Sequence, residues 1–249
     1  MGAVIRMKVV KKRLQLLDVG ASGPLAGMAV ALPLAIAGIA LSPIEEVPKG
    51  AHLILGDNLL FAGIVRLVHG PVAEGYDVFL HPIGLAAWFG FLVTALNLMP
   101  ASQLDGGHIV KALVGRRHAA ISRFVFLVLT VWGALGDAIL VDPRLALTGA
   151  LYVAGAVTLL VTRRFKKYER RILFALFLAH FAWATVVEAN SVAMPWMVWS
   201  VLLFAFRLDH PPIEDEHAPL PFRRRAAGWA SLALFVLTFT PMPITITGI

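Results

Sequence analysis

Long uncharged apolar runs, separated by short clusters of Lys and Arg, restrict the folding of this chain more than any other feature. A helix that crosses a bilayer needs roughly 17 to 25 mostly apolar residues, and about seven stretches meet or nearly meet that length. They lie at residues 20–41, 83–104, 122–141, 145–162, 172–187, 190–206 and 226–246. The sequence therefore predicts an all-α fold, a polytopic transmembrane helix bundle that forms a single membrane domain over residues 1–249.

The composition agrees with a membrane protein and limits the metal chemistry. Hydrophobic residues make up 59% of the chain and charged residues only 15%, so it is far more apolar than a soluble domain needs to be. Cysteine is absent, which excludes disulfides and thiolate ligands. A transition metal would therefore be bound by imidazole and carboxylate groups.

The basic residues fall almost entirely on one side of the predicted bundle. With the N-terminus in the cytoplasm, only Lys49, Arg66 and Arg144 lie in outside loops, as the positive-inside rule expects. This topology accounts for the net charge of +7 without nucleic acid as a partner. It places residues 42–80 in an outside loop and residues 207–225, rich in proline and acid, in a cytoplasmic loop.

The outside loop contains a second helical pattern. Apolar residues and a glycine recur there at helical spacing, at Leu59, Leu60, Gly63, Ile64, Leu67 and Val68. The pattern predicts an amphipathic helix. Two placements are open at this stage, one on the membrane surface and one packed against the bundle.

The segment "NLMPASQLDGG", Asn97–Gly107, places a break and a carboxylate at the end of the second run. Pro100 lacks an N–H group, so the helix is expected to break just after Asn97. Asp105 then stands at the membrane boundary, where an ionisable residue is a functional hypothesis. The alternative is a solvated acid or one paired with Lys111. The Asn97 amide is expected to bond either the freed backbone or an extended substrate strand.

This segment closely resembles the third-ligand motif of the site-2 protease family, which are intramembrane zinc metalloproteases. The family motif is Asn-x-x-Pro followed by Leu-Asp-Gly, and the matching positions are Asn97, Pro100, Leu104, Asp105 and Gly106. The resemblance implies that Asp105 is a zinc ligand and that Asn97 and Pro100 bind the substrate. Other stretches also resemble a prokaryotic and plastid branch of the family, at Gly2–Lys8, Gly20–Gly27, Asp209–Pro212 and Leu237–Ile244.

In that family a preceding helix supplies His-Glu-x-x-His, with two His as zinc ligands and the Glu as general base. This sequence contains no such motif, so no catalytic residue is assigned within it. The resemblance implies that the two further His come from a missing upstream helix, omitted by the start at Met1. Gly23 and Gly27 form a G-x-x-x-G step that would let this helix approach closely. His108 and His180 are expected to be structural.

Three functions follow as hypotheses. The first is the C-terminal portion of a site-2-type zinc metalloprotease that hydrolyses membrane-embedded protein substrates. The second is a non-catalytic membrane interaction protein of the same fold. The third is an ion- or proton-coupled transporter that uses Asp105, Asp137 or His180. The expected surroundings are the lipid bilayer, as a multi-pass protein of a prokaryotic cell membrane. The oligomeric state and the substrate's identity do not follow from the sequence.

Overall fold

The structure is a computed structural model that describes residues 10, 12–162, 168–187 and 192–247. The Gly2–Lys8 motif and the basic residues from Arg163 to Lys167 lie outside the described residues. The helices are α1 (Arg13–Ala40), α2 (Leu59–His69), α3 (Pro82–Leu98), α4 (Asp105–Val114), α5 (His118–Leu140), α6 (Ala146–Thr162), α7 (Glu169–Val186), α8 (Met194–Ala205) and α9 (Phe222–Thr238). The strands are β1 (Ile44–Glu46), β2 (His52–Leu55), β3 (Tyr76–Val78) and β4 (Ile244–Thr247). The predicted all-α fold is confirmed.

Three helical stretches of the described chain are long and apolar enough to cross a membrane. They are Arg13–Ala40, Asp105–Leu140 and Pro143–Val161. Shorter apolar helices occur at Leu59–His69, Pro82–Leu98 and Met194–Ala205. A membrane helix bundle is therefore confirmed, whereas the count of about seven crossings stays a prediction.

Helices α1 and α3 cross where two glycines meet. A Cβ atom on Gly38 would lie 2.2 Å from the Gly84 nitrogen, so only hydrogen atoms fit between the backbones. One step along the same crossing, a Cβ atom on Gly90 would lie 3.2 Å from that of Ala31. Close approach through small residues is a main source of helix association in lipid. It fixes α1 against α3 and, through them, the position of α4.

The second half of the chain packs α5, α6, α7 and α8 around a core that includes Phe126, Tyr152 and Trp196. One buried carboxylate joins α5 to α8. Asp137 Oδ1 accepts hydrogen bonds from the backbone N–H groups of Val192 and Ala193, at 2.8 and 2.7 Å. These N–H groups directly precede α8 and have no carbonyl partner within the helix. Asp137 therefore has a structural role.

Residues 42–80 form the predicted helix and three strands, which belong to two small antiparallel sheets. Strand β1 pairs with β3, and β2 pairs with β4 near the C-terminus. Helix α2 begins where the Asn58 side chain accepts a hydrogen bond from the Phe61 N–H at 2.9 Å. Phe61 and Ile64 are buried with α1 and α3, while Leu59 and Leu67 are 64% and 82% exposed. The helix thus packs on the bundle by one side and leaves apolar residues open on the other.

The Gly38–Gly84 crossing generates a stability prediction. We expect Gly38→Ala to lower the free energy of unfolding by about 1–3 kcal/mol, because its methyl group would overlap the α3 backbone. The matched control is Gly27→Ala, where nothing lies within 4 Å of the new methyl group. It should be neutral or stabilising by up to about 1 kcal/mol. Unfolding in detergent micelles, followed by circular dichroism, measures both; equal losses in the two variants would contradict the prediction.

Candidate functional site

The break between α3 and α4 lies where Pro100 predicts it. Helix α3 ends at Leu98, and Met99 is extended with φ −53° and ψ 124°, as a residue before proline should be. The loop that follows is fixed from three directions through Ser102. Its N–H donates to Ser122 Oγ at 2.7 Å, and its Oγ donates to the Arg207 carbonyl at 2.8 Å. A His118 ring nitrogen lies 3.1 Å from the Ser102 carbonyl.

The two glycines after Asp105 allow α4 to pack directly on this break. A Cβ atom on Gly106 would lie 1.9 Å from the Leu98 carbonyl oxygen, and one on Gly107 would lie 2.4 Å from the Ser102 carbonyl oxygen. Neither position has room for a side chain. The first turn of α4 is therefore held against the last turn of α3.

Asp105 is the first residue of α4 and is half-buried. Its carboxylate has no hydrogen bond or ion pair with the part of the chain that the structure describes. A Cβ atom on Gly23 of α1 would lie 3.8 Å from Asp105 Oδ2, and nothing lies within 4 Å of such an atom on Gly27. Its carboxyl oxygens are thus acceptors without a partner in the described chain, beside the small residues of α1, and are suited to bind a cation.

Lys111 does not pair with Asp105, contrary to the alternative raised by the sequence. Its ammonium donates to Glu216 Oε1 at 3.0 Å, and Lys111 is only 8% exposed. This hydrogen bond lowers the pKa of the Glu216 carboxyl group. Glu216 belongs to the segment Asp209–Pro221, which contains no helix. The pair attaches that segment to α4.

Three histidines meet beside α4: His108 of α4, His118 at the start of α5, and His210 from a distant part of the sequence. His210 Nε2 lies 3.1 Å from His108 Nδ1, and its ring packs edge to face on those of His108 and His118, with centroids 5.1 and 5.7 Å apart. Burial lowers the pKa of His210, which favours its neutral form. The sequence did not predict this cluster. The Asp209–Pro212 motif, which contains His210, was the feature that could have indicated it. The expectation that His108 is structural agrees with these contacts.

The described residues do not by themselves form a complete metal site. They contain no group of three or more His, Asp or Glu side chains arranged to hold a metal ion. In the histidine cluster, one ring nitrogen of His118 lies against the Ser102 carbonyl and one of His210 lies 2.8 Å from the Pro211 carbonyl. That Asp105 is a zinc ligand stays a prediction. The donor set falls short of the three protein ligands of a catalytic zinc.

Asn97 and Pro100, the candidate substrate-binding residues, lie on either side of this break. Asn97 is in the last turn of α3 and is half-buried, and its amide makes no hydrogen bond with any residue that the structure describes. Its neighbour Leu98 contacts Gly106, the neighbour of Asp105. The structure thus brings Asn97 and Asp105 to the same junction. Both have polar atoms without a partner in the described chain.

Asp137 and His180, which the transporter hypothesis names together with Asp105, lie in another part of the bundle. Asp137 holds the start of α8, as described above. His180, on α7, is buried, and its Nδ1 lies 2.9 Å from the Thr148 hydroxyl. Its Nε2 is buried without a partner in the described residues. These groups lie within the helix bundle formed by α5 to α8, whereas Asp105 lies on α4 beside α1.

The break after α3, the Asp105 carboxylate and the small residues of α1 are compatible with the class of intramembrane metalloproteases that the motif at Asn97–Gly106 resembles. Comparison with known families agrees: the model of peptidase family M50 matches residues 1–135. The chain belongs to this family, the site-2 protease family whose motif Asn97–Gly106 resembles. No solved structure matches the chain.

Several plant proteins are similar to this chain. One is "Probable zinc metalloprotease EGY2, chloroplastic" of Arabidopsis thaliana, 36% identical over 47% of this chain and 22% of its own length. The rice protein of the same name, from Oryza sativa subsp. indica, shows 36% identity over the same two shares. "Probable zinc metalloprotease EGY1, chloroplastic" of Arabidopsis thaliana is 31% identical over 61% of this chain and 28% of its length. The chain thus spans about a quarter of the length of these relatives.

The Lys111–Glu216 pair generates a pH prediction. Because the folded-state pKa of Glu216 is lowered, the pair stabilises the fold above the ordinary carboxyl range, and this stabilisation is lost as pH falls through the lowered value. We expect Glu216→Gln to cost on the order of 1 kcal/mol at pH 7, since Glu216 is partly exposed. The cost should shrink as the pH falls through the lowered pKa of Glu216. Unfolding at several pH values measures it. Glu74→Gln, at an exposed carboxylate, is the control and should show no such trend.

Proposed function

We propose that this chain is the part of a site-2-type intramembrane zinc metalloprotease that supplies the carboxylate ligand and binds the substrate. Its substrate is a membrane-embedded protein. The observation that carries the proposal is the Asp105 carboxylate, which has no partner among the described residues and faces Gly23 of α1 at the helix break. Family membership and the names of the relatives support the zinc and the protein substrate.

In this proposal each residue of the junction has a defined task. Asp105 provides one oxygen ligand, and Gly106 allows α4 to approach α3 closely enough to hold it. The Asn97 amide, which offers two donors and one acceptor, binds the backbone of an extended substrate strand. Pro100 ends helix α3. The helix therefore does not extend into the space that the substrate strand would occupy.

Zinc held by three protein ligands would lower the pKa of its bound water to about 7. The two imidazole ligands and the general base come, in this proposal, from a polypeptide segment other than those described. The small residues at Gly23 and Gly27 on α1 leave room for it beside Asp105. The described residues supply one candidate ligand, so no hydrolytic step is assigned to them.

The membrane is the site of action, in agreement with the apolar helices. The relatives are chloroplast proteins by name, so the comparisons do not favour the prokaryotic cell membrane that the sequence suggested. We propose a membrane of either plastid or prokaryotic type.

Zinc binding tests the proposal. We expect the purified chain alone to hold less than about 0.1 zinc per molecule, since catalytic zinc needs about three protein ligands. A synthetic transmembrane peptide with His-Glu-x-x-His should raise binding to about one zinc per complex. Asp105→Asn should weaken this binding at least about 10-fold through loss of a ligand. Elemental analysis measures the zinc, and cleavage of a membrane-embedded reporter peptide measures the activity.

Two controls separate the alternatives. Asp57→Asn removes an exposed carboxylate from the outside loop and should leave zinc binding unchanged. His108→Ala should also leave it unchanged, because the His108 ring contacts His210 instead. Zinc that binds the complex equally well without the Asp105 carboxylate would contradict the proposal.

A second candidate function is a non-catalytic membrane interaction protein of the same fold. The absence of a three-ligand group from the described residues favours it. It predicts that neither the chain nor its complex with the peptide binds zinc. Stoichiometric zinc that depends on Asp105 would exclude it.

A further inference from the structure

A cavity of about 1200 Å³ opens at the end of the bundle where α6 ends and α7 begins. The positive-inside topology predicts that this end faces the cytoplasm. Four arginines line the cavity: Arg123, Arg170, Arg171 and Arg207. Two carboxylates, Glu169 and Asp209, are the acidic members of the lining. Apolar wall is contributed by Leu159, Leu160 and Phe204.

The cavity carries an excess of positive charge that the described chain does not neutralise. Arg123 pairs with Asp209 at 3.4 Å, and both side chains are substantially exposed, at 45% and 65%. Arg170, Arg171 and Arg207 form no ion pair with any residue that the structure describes. Guanidinium groups bind phosphate in a bidentate manner, so several unpaired arginines around one cavity favour a phosphate-bearing anion.

The backbone at Arg207 has a left-handed conformation at the end of α8. Its φ is 69°, in the left-handed region that residues with a side chain rarely adopt. The Ser102 hydroxyl donates to the Arg207 carbonyl at 2.8 Å, and Ser102 itself has φ 58°. A left-handed residue is common directly after the C-cap of a helix, and Arg207 follows Phe206, the C-cap of α8. Here this conformation places Arg207 in the cavity lining.

Helix α7 adds its N-terminal end to the same cavity. The lining includes the first three residues of this 18-residue helix, Glu169, Arg170 and Arg171. The first N–H groups of a helix have no carbonyl partner within it, and the helix dipole is positive at this end. The dipole and the arginines therefore favour the same sign of ligand charge.

We propose that this cavity binds the phosphate group of an anionic phospholipid of the cytoplasmic leaflet. The arginines contact the phosphate, and Leu159, Leu160 and Phe204 contact the lipid's apolar part. The location at a helix end of a membrane bundle and the apolar wall favour a lipid over a free phosphate. Basic pockets between transmembrane helices on this side are suited to anionic head groups. This site is separate from Asp105 and does not depend on the proposed protease function.

Lipid binding to the purified chain in detergent tests the proposal. Native mass spectrometry counts bound phosphatidylglycerol and phosphatidylcholine with identical acyl chains. We expect phosphatidylglycerol to bind at least about 10-fold more tightly. The triple variant Arg170→Gln, Arg171→Gln and Arg207→Gln should lose that preference, while the corresponding Lys variants, which keep the charge, should retain most of it. Arg171→Gln alone, on the exposed start of α7, should lower the preference by about 3-fold or more.

The control is a triple variant with the same loss of charge on the same predicted side of the membrane. Arg117, Arg223 and Arg225 are exposed and lie outside the cavity, so their change to Gln should alter binding less than about 2-fold. Equal binding of the two lipids would overturn the proposal, as would an equal loss in the control variant. Displacement of phosphatidylglycerol by millimolar inorganic phosphate would overturn the assignment to a lipid.

Discussion

The position of the Asp105 carboxylate depends on places where two helices approach so closely that no side chain fits between them. Helix α3 meets α1 at Gly84 and Gly38, and it meets α4 where Gly106 touches the Leu98 carbonyl. Apolar side chains gain little from contacting one another in lipid, so close packing must provide the stability of these contacts. A bulkier residue at either place would move α4 and, with it, the candidate metal ligand.

Ionic and polar contacts hold the remaining sides of α4 and leave its first residue free. Lys111 is paired with Glu216, and His108 contacts His210, both partners coming from the Asp209–Pro221 segment. The N-terminal end of α1 binds the same segment, because the Arg13 guanidinium donates to the Ala218 carbonyl at 2.6 Å. Most polar groups around the junction are therefore satisfied. The Asp105 carboxylate and the Asn97 amide differ, since neither has a partner within the described chain.

The sequence predicts those features of this protein that depend on local patterns. The length of the apolar runs predicts the helical membrane bundle, Pro100 predicts the break before Asp105, and the spacing from Leu59 to Val68 predicts α2. The motif around Asp105 predicts the family. Each of these signals is contained within about 25 neighbouring residues.

Contacts between distant residues are not predictable in this way. His108 and His210 are separated by 102 positions and Lys111 and Glu216 by 105, and no local pattern specifies which partner each will meet. The role of Asp137 is similar, because its partners are the backbone N–H groups of Val192 and Ala193 rather than another charge. A buried acid within an apolar run suggests ion transport to a reader of the sequence. The fold instead uses it to satisfy the start of a helix.

Ser102 meets two requirements that few residue types satisfy together. Its backbone has φ 58°, for which glycine is best suited, yet its hydroxyl bonds the Arg207 carbonyl, which glycine cannot do. A β-branched side chain would be strained there, and the position is completely buried. Asparagine tolerates this conformation and carries an N–H donor. Close relatives with the same link between the α3–α4 loop and the end of α8 should therefore carry serine or asparagine at this position.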